Sequence, residues 1–347
     1  MRTISAADAV SPAIQRTKEF LFKPFKWGTY LKLCLVAILT EGIGSNFHSS
    51  SHNASSTGNG PMILSPFDFT PVRIAAIVAA VLLMIFLSLV IFYLFTRLRF
   101  AFFHCLVNNT KEIGPGWRLY EVQATRFFWL NAVVGICFLV VLAAIALPFV
   151  AGFWRLFHEI PPGGHPDLGL LLSLLLPLIP VILLLVLLGF ATDVVLRDWM
   201  LPHYALDDAS AGEAWSRVWA AIMAEKRQFV VYAILRFILP VIAIIALFVV
   251  FIIPGLMLAG CLAAVEFGLH SAFADASGAS ALIGILLEGF FGLLAFGFML
   301  LISICLGGPV STGVREYALL FYGGRYPALG DTLDQSLLPG TGAPRFS

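Results

Sequence analysis

Five long runs of apolar residues alternate with short polar segments along the chain. Each run reaches the roughly 20 residues that a helix needs to cross a bilayer. The runs cover residues 72–96, 127–153, 168–196, 229–253 and 282–306. This pattern predicts five membrane-spanning helices.

Two further apolar segments are less regular. Residues 27–44 form a weaker run that Lys32 and Glu41 interrupt, and we interpret it as a sixth span. Residues 254–270 are apolar but short, begin with a proline and contain Glu266. This segment is interpreted either as a seventh span or as a short helix at the outer surface.

The distribution of Lys and Arg favours six spans with both chain ends in the cytoplasm, because cytoplasmic segments are enriched in these residues. With six spans, all of the 21 Lys and Arg residues except Arg73 and Arg155 fall in or beside cytoplasmic segments. A seventh span would move Arg315, Arg325 and Arg345 outside. We therefore expect a multi-pass protein of the inner (cell) membrane with an extra short outer helix.

Composition supports membrane insertion. The chain is 60% hydrophobic and 12% charged with a mean hydropathy of +0.94, whereas soluble domains are about 25% charged. The net charge of +1 comes without a long basic run, which excludes a nucleic-acid surface. The lipid bilayer is the expected partner, and a membrane protein is the second candidate; the oligomeric state stays open.

The chain also contains an internal repeat. A shift of 98 residues superposes several positions, namely Leu98-Arg99 on Leu196-Arg197, Gly114 on Gly212 and Trp117 on Trp215. Residues 5–9 parallel residues 210–214 in the same way. The sequence therefore predicts an all-α fold of three parallel repeats, each an amphipathic helix followed by two spans.

We expect all 347 residues to form a single membrane domain. Its repeat units cover approximately residues 5–97, 112–197 and 210–306, and a cytoplasmic tail covers residues 307–347. Residues 45–71, rich in Ser, Gly and Asn, are expected to form a flexible outer loop.

The amphipathic helices carry tryptophan. One apolar stripe follows helical spacing through Trp215, Val218, Trp219, Ile222 and Met223. A shorter stripe contains Trp117. Such helices lie in the membrane interface with Trp at headgroup depth, or they only cap the bundle.

Three glutamates lie within or beside the predicted spans, where charged groups are costly and therefore point to function. Glu288 shares its helical face with small residues, which indicates that it points toward another helix. Glu288, Glu41 and Glu266 either converge in an outward-facing acidic pocket, suited to a cation or proton, or each caps a helix end or meets water separately.

Asp193 and Arg236 lie at similar predicted depths near the cytoplasmic ends of their spans. We expect them to form a buried ion pair between the two spans. The alternative is a local pair of Asp193 with Arg197, four residues later on the same helix, while Arg236 extends to a lipid phosphate.

The sequence contains no recognisable catalytic motif and no cofactor signature, so no enzyme activity and no cofactor are expected. His48 and His52 have helical metal-ligand spacing but lie among Ser, Asn and Gly in a predicted coil. No metal site is therefore expected.

Residues 27–33, the linker around Trp215, and the hexapeptide of residues 315–320 (Arg-Glu-Tyr-Ala-Leu-Leu) carry a family resemblance. The chain resembles uncharacterised prokaryotic six-span families similar to the membrane domain attached to some glycerophosphodiester phosphodiesterases. In those proteins the hydrolase is a separate domain, which this chain lacks. The resemblance implies a fold and a topology but no catalytic residue.

Two functions follow from these observations. The first is a non-catalytic scaffold or accessory protein of a membrane process. The alternative is a transporter of a small molecule, ion or lipid with a polar site near Glu288 and Glu41.

Overall fold

A computed structural model describes residues 4–42, 71–158, 168–273 and 279–337. Within these ranges the regular structure is entirely helical. The α-helices are α1 (Val10–Phe22), α2 (Trp27–Ala37), α3 (Pro71–Val107), α4 (Ile113–Leu119), α5 (Glu121–His158), α6 (Leu168–Val194), α7 (Leu201–Leu206), α8 (Ala211–Ala224), α9 (Lys226–Phe273), α10 (Ala279–Gly323) and α11 (Pro327–Leu337). Two π-helical turns, Ile38–Gly42 and Val195–Met200, continue α2 and α6.

Five of these helices are long and apolar enough to cross a membrane: α3, α5, α6 with its continuation, α9 and α10. Their apolar side chains are largely exposed within the protein, as in Leu83 at 67% and Leu286 at 72%. Such surfaces are stable in lipid rather than in water. The chain is therefore a multi-pass membrane protein by helix length and composition.

The predicted sixth span is not among these five helices. Helix α2 and its π-helical turn cover only residues 27–42 in the part of the chain that the structure describes. The predicted flexible loop and the His48 and His52 pair fall outside the described residues.

The chain divides into two compact units, where the sequence predicted a single domain. Unit 1 contains Met1–Gly42, His104–Glu112 and Ser216–Ser347. Unit 2 contains Ile43–Phe103 and Ile113–Trp215.

In unit 1, α9 and α10 pack as an antiparallel hairpin. At one end the Tyr232 ring stacks on Tyr317 at 5.1 Å and on Phe321 at 4.3 Å. At the other end His270 contacts Glu288. Helices α1, α2 and α11 pack against α10 near the aromatic end. The core of unit 1 therefore lies at that end of the hairpin.

In unit 2, the core lies where α3 ends and α5 begins. The Phe127 ring contacts Phe100 at 5.5 Å and Tyr204 at 5.3 Å, both edge to face. Tyr120 also contacts Phe100 and is buried. These rings form a compact aromatic layer, whereas the long apolar stretches of α3, α5 and α6 outside this layer are exposed.

Two predictions of element boundaries are wrong. Residues 254–270 are not a separate outer helix but the continuation of α9, which passes through Pro254. A proline inside an apolar helix removes only one backbone hydrogen bond, so the helix continues. Residues 307–323, assigned to the tail, extend α10, and their side chains enter the core of unit 1.

The starts of two amphipathic segments share one capping arrangement. The backbone N–H of Asp8 donates to Ser5 Oγ at 3.2 Å, and that of Glu213 donates to Ser210 Oγ at 3.4 Å. Each acidic side chain also accepts a hydrogen bond from its own serine, in one case from the hydroxyl and in the other from the backbone N–H. A serine followed three residues later by an acid is the sequence signature of such a helix start.

Candidate functional site

A cluster of buried charges in unit 1 joins the N-terminal helices to the α9–α10 hairpin. The carboxylate of Glu41 accepts a hydrogen bond from Arg236 at 2.9 Å and lies 3.8 Å from Arg315. The exposed fractions of the three side chains are 6%, 12% and 2%. One carboxylate is thus held between two guanidinium groups away from water.

A second ion pair lies one residue further along α10. Arg16 Nε lies 3.0 Å from Glu316 Oε2, and the Glu316 side chain is completely buried. Arg16 also donates to the backbone oxygen of Leu106 at 2.7 Å. We call Arg16, Glu41, Arg236, Arg315 and Glu316 the buried charge cluster.

The segment between α3 and α4 adds polar contacts beside this cluster. Lys111 Nζ donates to the backbone oxygen of Pro24 at 2.9 Å. Partial burial, and then the nearby charge of Lys26, lower the pKa of Lys111. This hydrogen bond therefore joins the segment between α3 and α4 to the connection between α1 and α2.

The buried charge cluster is suited to holding helices together rather than to chemistry. Burying charges is costly unless each is paired, and a paired cluster is strongly destabilised when one partner is lost. Among the described residues, no group of three His, Cys, Asp or Glu side chains is placed to hold a metal ion.

The predicted acidic pocket is wrong. Glu41 contacts Arg236, whereas Glu288 contacts His270 at 3.2 Å. Arg236 and His270 lie on α9 about 50 Å apart along the helix axis. The reason is that α2 packs across α10 at Gly308 and so carries Glu41 to the aromatic end of the hairpin.

Glu266 lies near Glu288. A Cβ placed on Gly292 would lie 3.9 Å from Glu266 Oε1, and Gly292 is one turn after Glu288 on α10. Two of the three predicted carboxylates therefore share one end of the hairpin. The Glu288 side chain is 31% exposed and that of His270 is 76% exposed.

One half of the alternative, the local pair of Asp193, is confirmed, whereas the other half is wrong because Arg236 is buried against Glu41 rather than extended to a lipid phosphate. The Asp193 carboxylate forms an ion pair with Arg197 at 2.5 Å, four residues later. The contact between Asp193 and Arg236 stays a prediction.

The predicted interfacial tryptophans have different surroundings. The Arg97 guanidinium lies 4.7 Å from the centre of the Trp117 ring and donates to its backbone oxygen at 2.9 Å. Trp215 and Trp219 on α8 are each 47% exposed, whereas Val218 between them is completely buried. The side of α8 that carries Val218 therefore packs against the protein, whereas the rings of Trp215 and Trp219 lie at the surface.

An apolar groove in unit 2 lies next to Trp215. It has a volume of about 420 Å³ and lies between α5, the end of α6 and the start of α8. Its lining residues are Leu130, Val134, Ala191, Thr192, Val195, Leu196, Met200, Ala211 and Trp215. The Thr192 hydroxyl donates to the backbone oxygen of Leu188, so it adds little polarity to the wall.

Three residues of the buried charge cluster, Arg16, Arg315 and Glu316, were not singled out from the sequence. The sequence does contain a pattern that points to Arg315, because Val314-Arg315 repeats the apolar–arginine pairs Leu98-Arg99 and Leu196-Arg197. Arg99, Arg197 and Arg315 are 9%, 6% and 2% exposed. Each arginine follows an apolar residue near the end of a membrane-spanning helix.

Comparison with known proteins identifies a family but no characterised relative. The model of a family of unknown function, DUF7544, matches residues 4–332. No curated protein and no solved structure matches the chain.

Proposed function

The chain belongs to the family of unknown function DUF7544, and we propose that it is a non-catalytic accessory protein of the cell membrane that holds a partner membrane protein against α8. The observation that carries this proposal is the surface of α8. Trp215, Trp219 and Met223 are 47%, 47% and 41% exposed along one side of the helix. Exposed aromatic and methionine side chains are typical of recognition surfaces.

A topology with six crossings supports the proposal. If each of the five long helices crosses once, consecutive helices run in opposite directions, and α3 begins on the side opposite the end of α10. Helix α1 packs against the end of α10, where Arg16 contacts Glu316. In the topology that we propose, the chain crosses once more between α1 and α3, and both chain ends lie on one side.

That side is the cytoplasm in our proposal. The ends of α3, α6 and α10 and the starts of α5 and α9 carry most of the basic residues, as the rule for cytoplasmic segments expects. Helix α8 connects two of these ends and carries the exposed residues Arg217, Lys226 and Arg227 on or directly after it. Its tryptophans then lie at headgroup depth on the cytoplasmic face.

Three parallel repeats are the arrangement that we propose for these crossings. The shared serine–acid caps at residues 5–8 and 210–213 support the alignment of two amphipathic helices. The buried arginines at positions 99, 197 and 315 support the alignment of the helices that end each repeat. Parallel repeats of this kind build a platform of helix ends on one face of the membrane.

The proposal is tested by extracting the full chain from native membrane in lipid-preserving particles and weighing the bound components by native mass spectrometry. We expect a membrane protein bound in stoichiometric amount. Trp219→Ala combined with Met223→Ala should reduce its recovery about tenfold or more, because exposed aromatic anchors dominate interface energies.

Trp129→Ala is the matched control, since Trp129 is 64% exposed on another helix, α5. It should leave the partner bound. Recovery of the wild-type chain with lipid alone would overturn the accessory function.

A further inference from the structure

We propose that the apolar groove between α5, α6 and α8 is a binding site for one anionic phospholipid, with an acyl chain along Leu130 and Val134 and the phosphate at Arg126. This site shares Trp215 with the partner surface on α8, but neither Trp219 nor Met223, the two residues replaced in the partner test, lines the groove. It assigns a ligand to a groove of about 420 Å³ that packing leaves open in unit 2.

The walls of the groove determine the kind of ligand. Two of them are membrane-spanning helices, and all of the lining residues are apolar except Thr192, whose hydroxyl is bonded to its own helix. Leu130, Val134 and Val195 are only half-buried, so the groove is open along its length. The medium that reaches these residues in a membrane is the acyl-chain region of the bilayer.

A cation lies on α5 one turn before the first residue that lines the groove. Arg126, Leu130 and Val134 follow one another at intervals of four residues, so they share one face of α5. Arg126 is nearest the start of α5, and the two apolar residues lie one and two turns deeper. A charged group above an apolar groove complements a phospholipid, which has a phosphate above its chains.

The present partner of Arg126 leaves the guanidinium accessible. Its Nη1 lies 3.2 Å from Asp208 Oδ1, and the two side chains are 53% and 55% exposed. Exposed ion pairs contribute little, and a guanidinium has five N–H donors, so a phosphate can bind beside Asp208 or displace it. Planar, bidentate binding of phosphate is a preferred role of arginine.

Trp215 completes the site from α8. Its ring lines the groove and is 47% exposed. An indole ring favours the boundary between headgroups and chains, which is the depth that the groove requires between Arg126 and Val134. The charge of Arg126, the depth expected for Trp215 and the apolar lining of the groove are therefore all suited to one phospholipid.

The test uses the full chain reconstituted in vesicles of phosphatidylcholine containing one tenth phosphatidylglycerol. After extraction, native mass spectrometry counts the lipids that remain bound to each chain. We expect one phosphatidylglycerol per chain to be retained in preference to phosphatidylcholine. Arg126→Gln should lower this retention about tenfold, and Arg126→Lys, which keeps the charge but loses the bidentate geometry, should retain an amount between that of Arg126→Gln and that of the wild type.

Two further variants separate the site from general effects. Val134→Trp fills the groove and should abolish retention of the lipid while Arg126 is intact. Arg118→Gln removes another exposed arginine of unit 2 and should change nothing. Equal retention of both lipids, or retention unaffected by Arg126→Gln or Val134→Trp, would overturn the proposal. A lipid-free dimer would also overturn it, since a second copy would then occupy the groove.

Discussion

Glu316→Gln should lower the free energy of unfolding by about 3–5 kcal/mol, the cost typical of removing one partner from a buried ion pair. Glu316 is completely buried beside Arg16, so its loss leaves a guanidinium without its carboxylate in a low-dielectric interior. The measurement is reversible unfolding of the full chain in detergent micelles, followed by circular dichroism.

Two variants show whether charge is the cause. Glu19→Gln removes a carboxylate from an exposed pair with Lys23, directly after the end of α1, and should cost at most about 1 kcal/mol. Replacing both Arg16 and Glu316 by apolar residues should restore much of the stability lost in the single variant. A single variant as stable as the wild type would show that the ion pair does not hold α1 in place.

Gly308→Ala should release α2 from α10, with a loss of roughly 3 kcal/mol, the upper part of the usual range for overpacking. A Cβ at position 308 would lie 2.6 Å from the Cα atom of Cys34, so relief requires a shift of backbone rather than of a side chain. Cys34 is completely buried in the wild-type chain. The measurement is the rate at which a maleimide modifies Cys34, which should rise sharply in the variant.

The neighbouring glycines provide a graded series. A Cβ at Gly307 would meet the flexible end of Ile38 at 3.1 Å, so Gly307→Ala should have a smaller effect. Gly297→Ala is the control, since that Cβ would meet nothing within 4 Å. If Cys34 reacts equally slowly in all three variants, the close approach of α2 to α10 is not what protects it.

The apolar pattern predicted where the long helices lie but not where they end. Run 72–96 becomes a helix that continues to Val107, because Phe100, Phe103 and Leu106 are buried by neighbouring helices rather than by lipid. A hydropathy pattern shows where the surroundings change from lipid to water. Along this helix the surroundings change from lipid to protein, and the residues stay apolar. The hydropathy pattern therefore does not show where a membrane helix ends when that helix continues into a packed protein core.

Charged positions were harder to place than apolar ones. The local pair of Asp193 with Arg197 follows from helical spacing alone. The contact of Glu41 with Arg236 joins residues 195 positions apart and depends on how α2 packs across α10. Arg315 and Glu316 lay beyond the predicted span, in a segment that the sequence assigned to a tail.

The most direct test of the account is the side of the membrane on which the helix ends lie. Single cysteines are placed at Asn109, Asp208 and Gly324 and at position 163, between α5 and α6, and intact cells are treated with a maleimide that cannot cross the membrane. The account predicts that the cysteine at 163 reacts in intact cells, whereas those at 109, 208 and 324 react only after the membrane is opened. Reaction of the cysteine at 109, 208 or 324 in intact cells would contradict a platform of helix ends on the cytoplasmic face.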